Sequence, residues 1–232
     1  MDNAKFFASI RASGIFGATL SQSEADGTEA IINAYEAAGL TDERWLAYML
    51  ATAFHETAAT MRPIEEYGKG AGRPYGLPTG PYKQRYFGRG YVQITWEANY
   101  KKAQDKLGIP LHSHPELALE PKHAAGIMIR GMTEGWFTGK KLSDYNVTLL
   151  TAPPKHSFDY VGARRIINGT DKASLIAGYA QKFEAAIKAG GGLKPIPVLP
   201  HPIDAPPAPS PEQPNFWTAL LSILSKFRGR AA

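Results

Sequence analysis

Thr41-Asp-Glu-Arg-Trp-Leu-Ala-Tyr-Met-Leu-Ala-Thr-Ala-Phe-His-Glu-Thr57 is the stretch whose reading decides the fold. Thr41 has the residue type of an N-cap, with Asp42 and Glu43 placed in the first turn, where the helix dipole favours negative charge. Trp45, Leu46, Met49, Leu50 and Ala53 then recur at helical spacing, so a helix over 42–61 with one face in the core is expected. At 100° per residue, Glu56 projects within about 20° of Met49, inside the apolar stripe. Pro63 cannot continue a helix, which places its end near Met61-Arg62.

A carboxyl in an apolar stripe is disfavoured in its charged form. Its raised pKa lets it hold a proton near neutral pH, as a general acid must. The bland alternative is a Glu at a helix end, paired with Arg62 or Arg89 and without chemical work. A second carboxylate favours the first reading. The break at Pro63 lets Ile64-Glu65-Glu66-Tyr67 turn back. Glu65 can then face Glu56 across a cleft, at the separation of roughly 6.5–9.5 Å that leaves room for a water between acid and base. Glu66 is the rival, because periodicity does not rank adjacent loop residues.

About forty residues on stands Tyr86-Phe-Gly-Arg-Gly-Tyr-Val-Gln-Ile-Thr-Trp96. Val92, Ile94 and Trp96 alternate with Gln93 and Thr95, the pattern of a short strand whose polar face lines a cleft. Gly88 and Gly90 fit a tight turn or bulge at the strand start. Trp96, Tyr100, Trp136 and Phe137 read as core or cleft wall rather than as sugar platforms. Asn168-Gly169, after Arg164-Arg165-Ile-Ile, is equally consistent with a helix C-cap.

His55-Glu56-Thr57, the run Gly88–Thr95 with Trp96, Asn99 and Tyr100, and Ile166-Ile-Asn-Gly169 together resemble, in order, the motifs of the family 19 glycoside hydrolases. Met61-Arg-Pro-Ile-Glu-Glu-Tyr-Gly68 and Gly135-Trp-Phe-Thr-Gly139 are similar to the short chitinase-like endolysins of bacteriophages and their prophage relatives. The likeness runs from roughly Phe6 to Ile187. It implies a lysozyme-like α+β fold, predominantly α-helical, with two lobes and a small β-sheet beside the catalytic cleft. It places Glu56 as general acid, Glu65 as base, and Thr95 as the hydroxyl that helps hold the attacking water. Gln93, Asn99 and Asn168 fall on amides that bond N-acetylated sugars, each offering a donor and an acceptor. Tyr91 stands where plant-type members have Pro and is placed with the substrate-binding residues. No cofactor or metal is implied. Peptidoglycan glycan strands are the implied partner, with chitin oligomers as a variant substrate and a catalytically silent envelope-binding protein as the reading from another class. A monomer is expected.

Other chemistries do not fit. His55-Glu56-Thr-Ala-Ala59 lacks the second His of a zincin, and Gly68-Lys-Gly-Ala-Gly72 has neither P-loop nor dinucleotide spacing. His112 and His114 flank Ser113 beside Pro115 and read as a loop. There is no cysteine, which excludes thiol catalysis and disulfides. The net charge of +5 and pI near 9.3 suggest an anionic target. Nucleic acid is not expected, since the basic residues are scattered and no binding module accompanies them.

The 232 residues divide into a catalytic domain over 1–194, a Pro-rich linker over 195–214 and an amphipathic, cationic helix over 215–232. In the last, Trp217, Leu220, Leu221, Leu224 and Phe227 share one face, suited to an anionic membrane or lipopolysaccharide but too short to span a bilayer. Helices are also expected near 3–11, 22–38 with an irregular start at Asp26-Gly27, 97–107, 121–133, 159–168 and 171–189. The N-terminus has no apolar run of a secretory signal. The endolysin resemblance then implies synthesis in the host cytoplasm and release to the cell wall through a holin-type pore.

Overall fold

The computed structural model describes residues 1–153 and 155–193, so the expected linker and C-terminal helix lie outside the described residues. The described chain is α+β and predominantly helical, as expected. It contains α1 (Asn3–Ser13), α2 (Gln22–Ala37), α3 (Glu43–Glu56), β1 (Ile64–Glu65), β2 (Arg89–Gly90), α4 (Glu97–Leu107), α5 (Pro121–Glu134), β3 (Asn146–Leu149), β4 (Lys155–Phe158) and α6 (Ala173–Ala189).

The helices fall into two groups. In one, α3 packs along α6, and α6 along α1; in the other, α5 packs on α2 and α4. Leu46 through Phe54 are all buried, so α3 is enclosed on every side rather than along one stripe. Phe6, Tyr35, Ile176 and Phe183 share its core.

Local chemistry sets the helix starts. Asp42, not Thr41, caps α3 by accepting from the backbone N–H groups of Arg44 and Trp45. Ser21 and Glu24 form a reciprocal capping box, so α2 runs unbroken through Asp26-Gly27. Gly27 is required by packing: a Cβ there would collide with the backbone carbonyl of Met61.

Three expected elements are corrected. The helix expected over 42–61 ends at Glu56, well before Pro63. The Thr57 hydroxyl donates to the Ala53 carbonyl at 2.7 Å and accepts from Met61 N–H at 3.1 Å, closing a turn in which Ala58, Ala59 and Met61 have positive φ. The strand expected over 92–96 is instead a tight turn. Arg89 and Ile94 exchange backbone hydrogen bonds around Gly90–Gln93, with Gly90 at φ 83° and Gln93 at φ 52°. β2 pairs antiparallel with β1 in the register Glu65↔Arg89. The helix expected over 159–168 shortens to a 3-10 turn, Gly162–Ile166. The β3–β4 hairpin, unforeseen in the sequence, is tied to the start of α3 by Arg44 Nη1 on the Ser157 carbonyl and Trp45 Nε1 on Asn146 Oδ1, each at 3.0 Å.

Candidate active site

A cleft of about 440 Å³ is lined by Glu56, Tyr75, residues 92–96, Asn99, Phe137, Ile167 and Asn168. Five pieces of chain build it: the C-terminus of α3, the 3-10 turn carrying Tyr75, the turn leading into the start of α4, the segment after α5 carrying Phe137, and the segment before α6. The structure thus brings Glu56, Gln93, Thr95, Asn99 and Asn168 to one cavity.

Glu56 is the last residue of α3, and its side chain is 17 % exposed. It is not isolated among apolar groups. Arg164, 3 % exposed, donates from Nη1 to Glu56 Oε1 at 2.6 Å, while its Nε donates to the Asp171 carbonyl at 3.0 Å. The partner is therefore neither Arg62 nor Arg89. Arg62 Nε instead donates to Ser23 Oγ, and Arg89 is taken up by the small sheet. His55, beside Glu56, has a pKa below the ordinary value because partial burial disfavours its cation and the Arg164 charge adds to that effect.

Glu65, on β1, is not among the residues lining the cleft. Its Oε1 accepts from Arg89 Nε at 3.3 Å and its Oε2 pairs with Lys69 Nζ at 2.9 Å. Partial burial alone would raise its pKa, but the bonds from Lys69 and Arg89 outweigh that and hold it below the ordinary value. Glu66 is engaged with neutral donors, accepting from Gly88 N–H and the Tyr75 hydroxyl at 3.2 Å each.

The amides serve the scaffold as well as the cavity. Gln93 Nε2 donates to the carbonyls of Ile64 and Gly90 at 3.0 and 3.1 Å, stitching the turn to β1. Asn99 Nδ2 donates to the Thr95 carbonyl at 2.8 Å. The Thr95 hydroxyl donates to the Gln93 carbonyl at 2.8 Å. With its proton committed there, Thr95 Oγ1 has lone pairs left for a water. Trp96, 51 % exposed, meets Tyr75 edge to face across the cleft wall, and Phe137 completes that wall. Trp136 and Tyr100 are core.

Tyr91 is not brought to this cleft. The tight turn sends its ring inward, 1 % exposed, against a separate hollow lined by Gly27, Met61, Pro63 and Pro121. Burial pushes its phenol up to about 12. Sequence reasoning missed Arg164, although the doubled Arg164-Arg165 just before Ile-Ile-Asn-Gly was a usable signal. Among the described residues, no group of three or more His, Asp or Glu is arranged to hold a metal ion.

No family model matches the chain. Two endochitinases of Arabidopsis thaliana are similar to it in part. One is 35% identical over 88 residues, covering 38% of this chain and 31% of the relative; the other is 36% identical over 83 residues, covering 34% and 28%. The chain thus spans less than a third of the length of these relatives. Among solved structures, chitinase C from Streptomyces griseus is similar at 23% identity and TM-score 0.49, with 84% of this chain and 78% of that one covered.

Proposed function

We propose that this chain is a glycoside hydrolase that cleaves β-1,4 bonds between N-acetylated sugars by general acid and base catalysis with inversion, and that its substrate is the glycan of peptidoglycan. The observation that carries the reading is Glu56: a carboxyl at the end of a buried helix, held by a buried guanidinium and opening into a cleft of amide, hydroxyl and aromatic side chains.

Glu56 gives its proton to the glycosidic oxygen as the C–O bond breaks. The carboxylate left behind is stabilised by Arg164, whose Nη1 already points at Oε1. A water held by Thr95 Oγ1 attacks the opposite face of the sugar as its proton is taken by Glu65, which its lowered pKa keeps ionised and which must turn from Lys69 and Arg89 toward the cleft to do so. Asn168 and the side-chain Oε1 of Gln93, which accepts no hydrogen bond among the described residues, suit N-acetyl and hydroxyl groups, and Trp96 offers a face to the ring. Chitin hydrolysis is the second reading, favoured by the stretch shared with endochitinases. Either way the products carry the inverted anomer.

Glu56→Gln keeps the shape and removes the proton. It is expected to lower kcat by at least about 10²–10⁴-fold with unchanged circular dichroism. Glu65→Gln is expected to be severely impaired and Glu66→Gln much less so. Near-normal turnover of the Glu56 variant on purified peptidoglycan and on chitin oligomers would remove Glu56 from the mechanism, and retention seen by NMR of fresh reducing ends would refute inversion. Because the Glu65 pKa is depressed, its ionised form persists as pH falls until the lowered value is passed. The acidic limb of kcat/KM is therefore expected below the ordinary carboxyl pKa of 4.5.

A further inference from the structure

Among the residues lining the cleft, Glu56 is the one charged side chain. The cavity around the scissile bond therefore suits a neutral sugar, and a carboxylate brought there would face like charge. Just beyond Asn168 the surface changes sign. A groove of about 400 Å³ is lined by Arg165, Thr170 and Lys172 beside Val161 and Leu175.

One stretch of chain, the ledge 165–172, lines both groove and cleft: Ile167 and Asn168 line the cleft, and Arg165, Thr170 and Lys172 line the groove. Arg164 links them, with Nη1 on Glu56 and Nε on the Asp171 carbonyl. The Thr138 hydroxyl donates to the Arg165 carbonyl at 2.7 Å and accepts from Lys140 N–H at 3.4 Å, fastening a third cation-bearing segment to the same ledge. Arg165, Lys172 and Lys140 are exposed and make no ion pair among the described residues. Asp171 stands on the ledge, and Asp144 and Asp159 lie by the Tyr145 ring near Arg165, but among the described residues no carboxylate lines the groove itself, where Arg165 and Lys172 are the charged side chains.

Unpaired cations on a rigid ledge beside a neutral cleft are suited to an anionic group carried outside the sugar ring. We propose that Arg165 and Lys172, with Lys140, form a carboxylate subsite that selects an acidic, carboxylate-substituted N-acetylated glycan over a neutral one. The inference rests on the glycosidase reading above and specifies its substrate class. Exposed pairs of this kind are individually weak and salt-screened, so their effect belongs in KM and in its dependence on ionic strength rather than in kcat.

The test compares the native chain with Arg165→Ala/Lys172→Ala on three probes: peptidoglycan fragments with stem peptides, the same glycan stripped of peptides but retaining its lactyl carboxylates, and neutral N-acetylglucosamine oligomers. The double variant is expected to raise KM roughly threefold to tenfold on the peptide-bearing fragments, with kcat within about twofold and KM on neutral oligomers unchanged. Raised salt should erase the difference, and Arg165→Lys/Lys172→Arg should restore most of the affinity. A KM shift that survives on stripped glycan assigns the lactyl carboxylate; one lost there assigns the peptide. Equal shifts on acidic and neutral probes, or no shift on any, would overturn the subsite. Should the native chain cleave none of the probes, the hydrolase reading itself fails. Binding of the acidic fragments, followed by tryptophan fluorescence, then still judges the ledge: affinity lost in the double variant supports it, and unchanged affinity overturns it.

Discussion

Arg164 is the residue on which the site turns, because one guanidinium fixes both the Glu56 carboxyl and the Asp171 carbonyl. Its removal leaves a part-buried carboxylate and a carbonyl short of a donor. Arg164→Met is expected to cost about 2–4 kcal/mol in urea unfolding, somewhat under the full cost of breaking a wholly buried pair because Glu56 keeps some access to water. Arg164→Lys should recover only part of this, since an ammonium does not reproduce the fork that serves two acceptors at once. An unchanged unfolding midpoint in Arg164→Met would dismiss the pair as a stabilising contact. At this scale the sequence was legible where periodicity speaks: the spacing of Glu56 from Met49 put it on the part-buried face of α3, although the helix expected to run on to 61 ends at Glu56 itself. It was silent on Arg164, which comes from 108 positions away and shares no period with the helix it supports. Tyr91 shows the opposite failure: Gly88 and Gly90 announced a tight turn, but nothing in the residue pattern said that the turn, with positive φ at Gly90 and Gln93, would put the Tyr91 ring in the core.

Among the elements, α2 meets the turn that follows α3 through backbone. Gly27 sits against the Met61 carbonyl, in the turn that follows α3 and leads into β1. Gly27→Ala would improve helix propensity by about 1 kcal/mol in isolation. Here the added methyl meets backbone that cannot swing aside, so a net loss of about 1–3 kcal/mol is expected in chemical denaturation. A variant as stable as the native chain would show that the turn yields freely. Where an element ends on a C-capping glycine, as Glu97–Leu107 does at Gly108, its expected limits, 97–107, were legible. The 92–96 segment was not, because alternation of Val92, Ile94 and Trp96 fits a strand and an inward-facing turn equally well until the Arg89–Ile94 bonds decide between them. The β3–β4 hairpin escaped notice because its residues are largely exposed and carry little apolar alternation.

For the molecule as a whole, the stitching of the described ends makes a strong expectation about the chain beyond them. Asp2 N–H donates to the Gly190 carbonyl at 2.8 Å, the Met1 amine pairs with Glu36 at 3.8 Å, and Leu193 N–H donates to Glu43 Oε1 at 3.2 Å. These bonds close α1 and the end of α6 onto the helices that carry the core, and every residue lining the cleft lies inside them. A chain ending at residue 194 is therefore expected to keep its thermal unfolding temperature within a degree or two of the full chain, which is the size of effect expected for about 0.5 kcal/mol in a domain this large. It should also keep its turnover of soluble oligomers. Residues 215–232 lie outside the described residues, and their sequence, with Trp217, Leu221, Leu224, Lys226, Arg228 and Arg230, suits an interfacial role at an anionic lipid surface. We propose that they are needed to reach cell wall behind a membrane and not to cleave it. Side-by-side assays of the truncated and full chains, on purified peptidoglycan and on intact Gram-negative cells, separate the two roles. Loss confined to intact cells supports the membrane role. Equal loss on both substrates would mean that the tail completes the catalytic domain, and equal activity on both would remove the membrane role altogether.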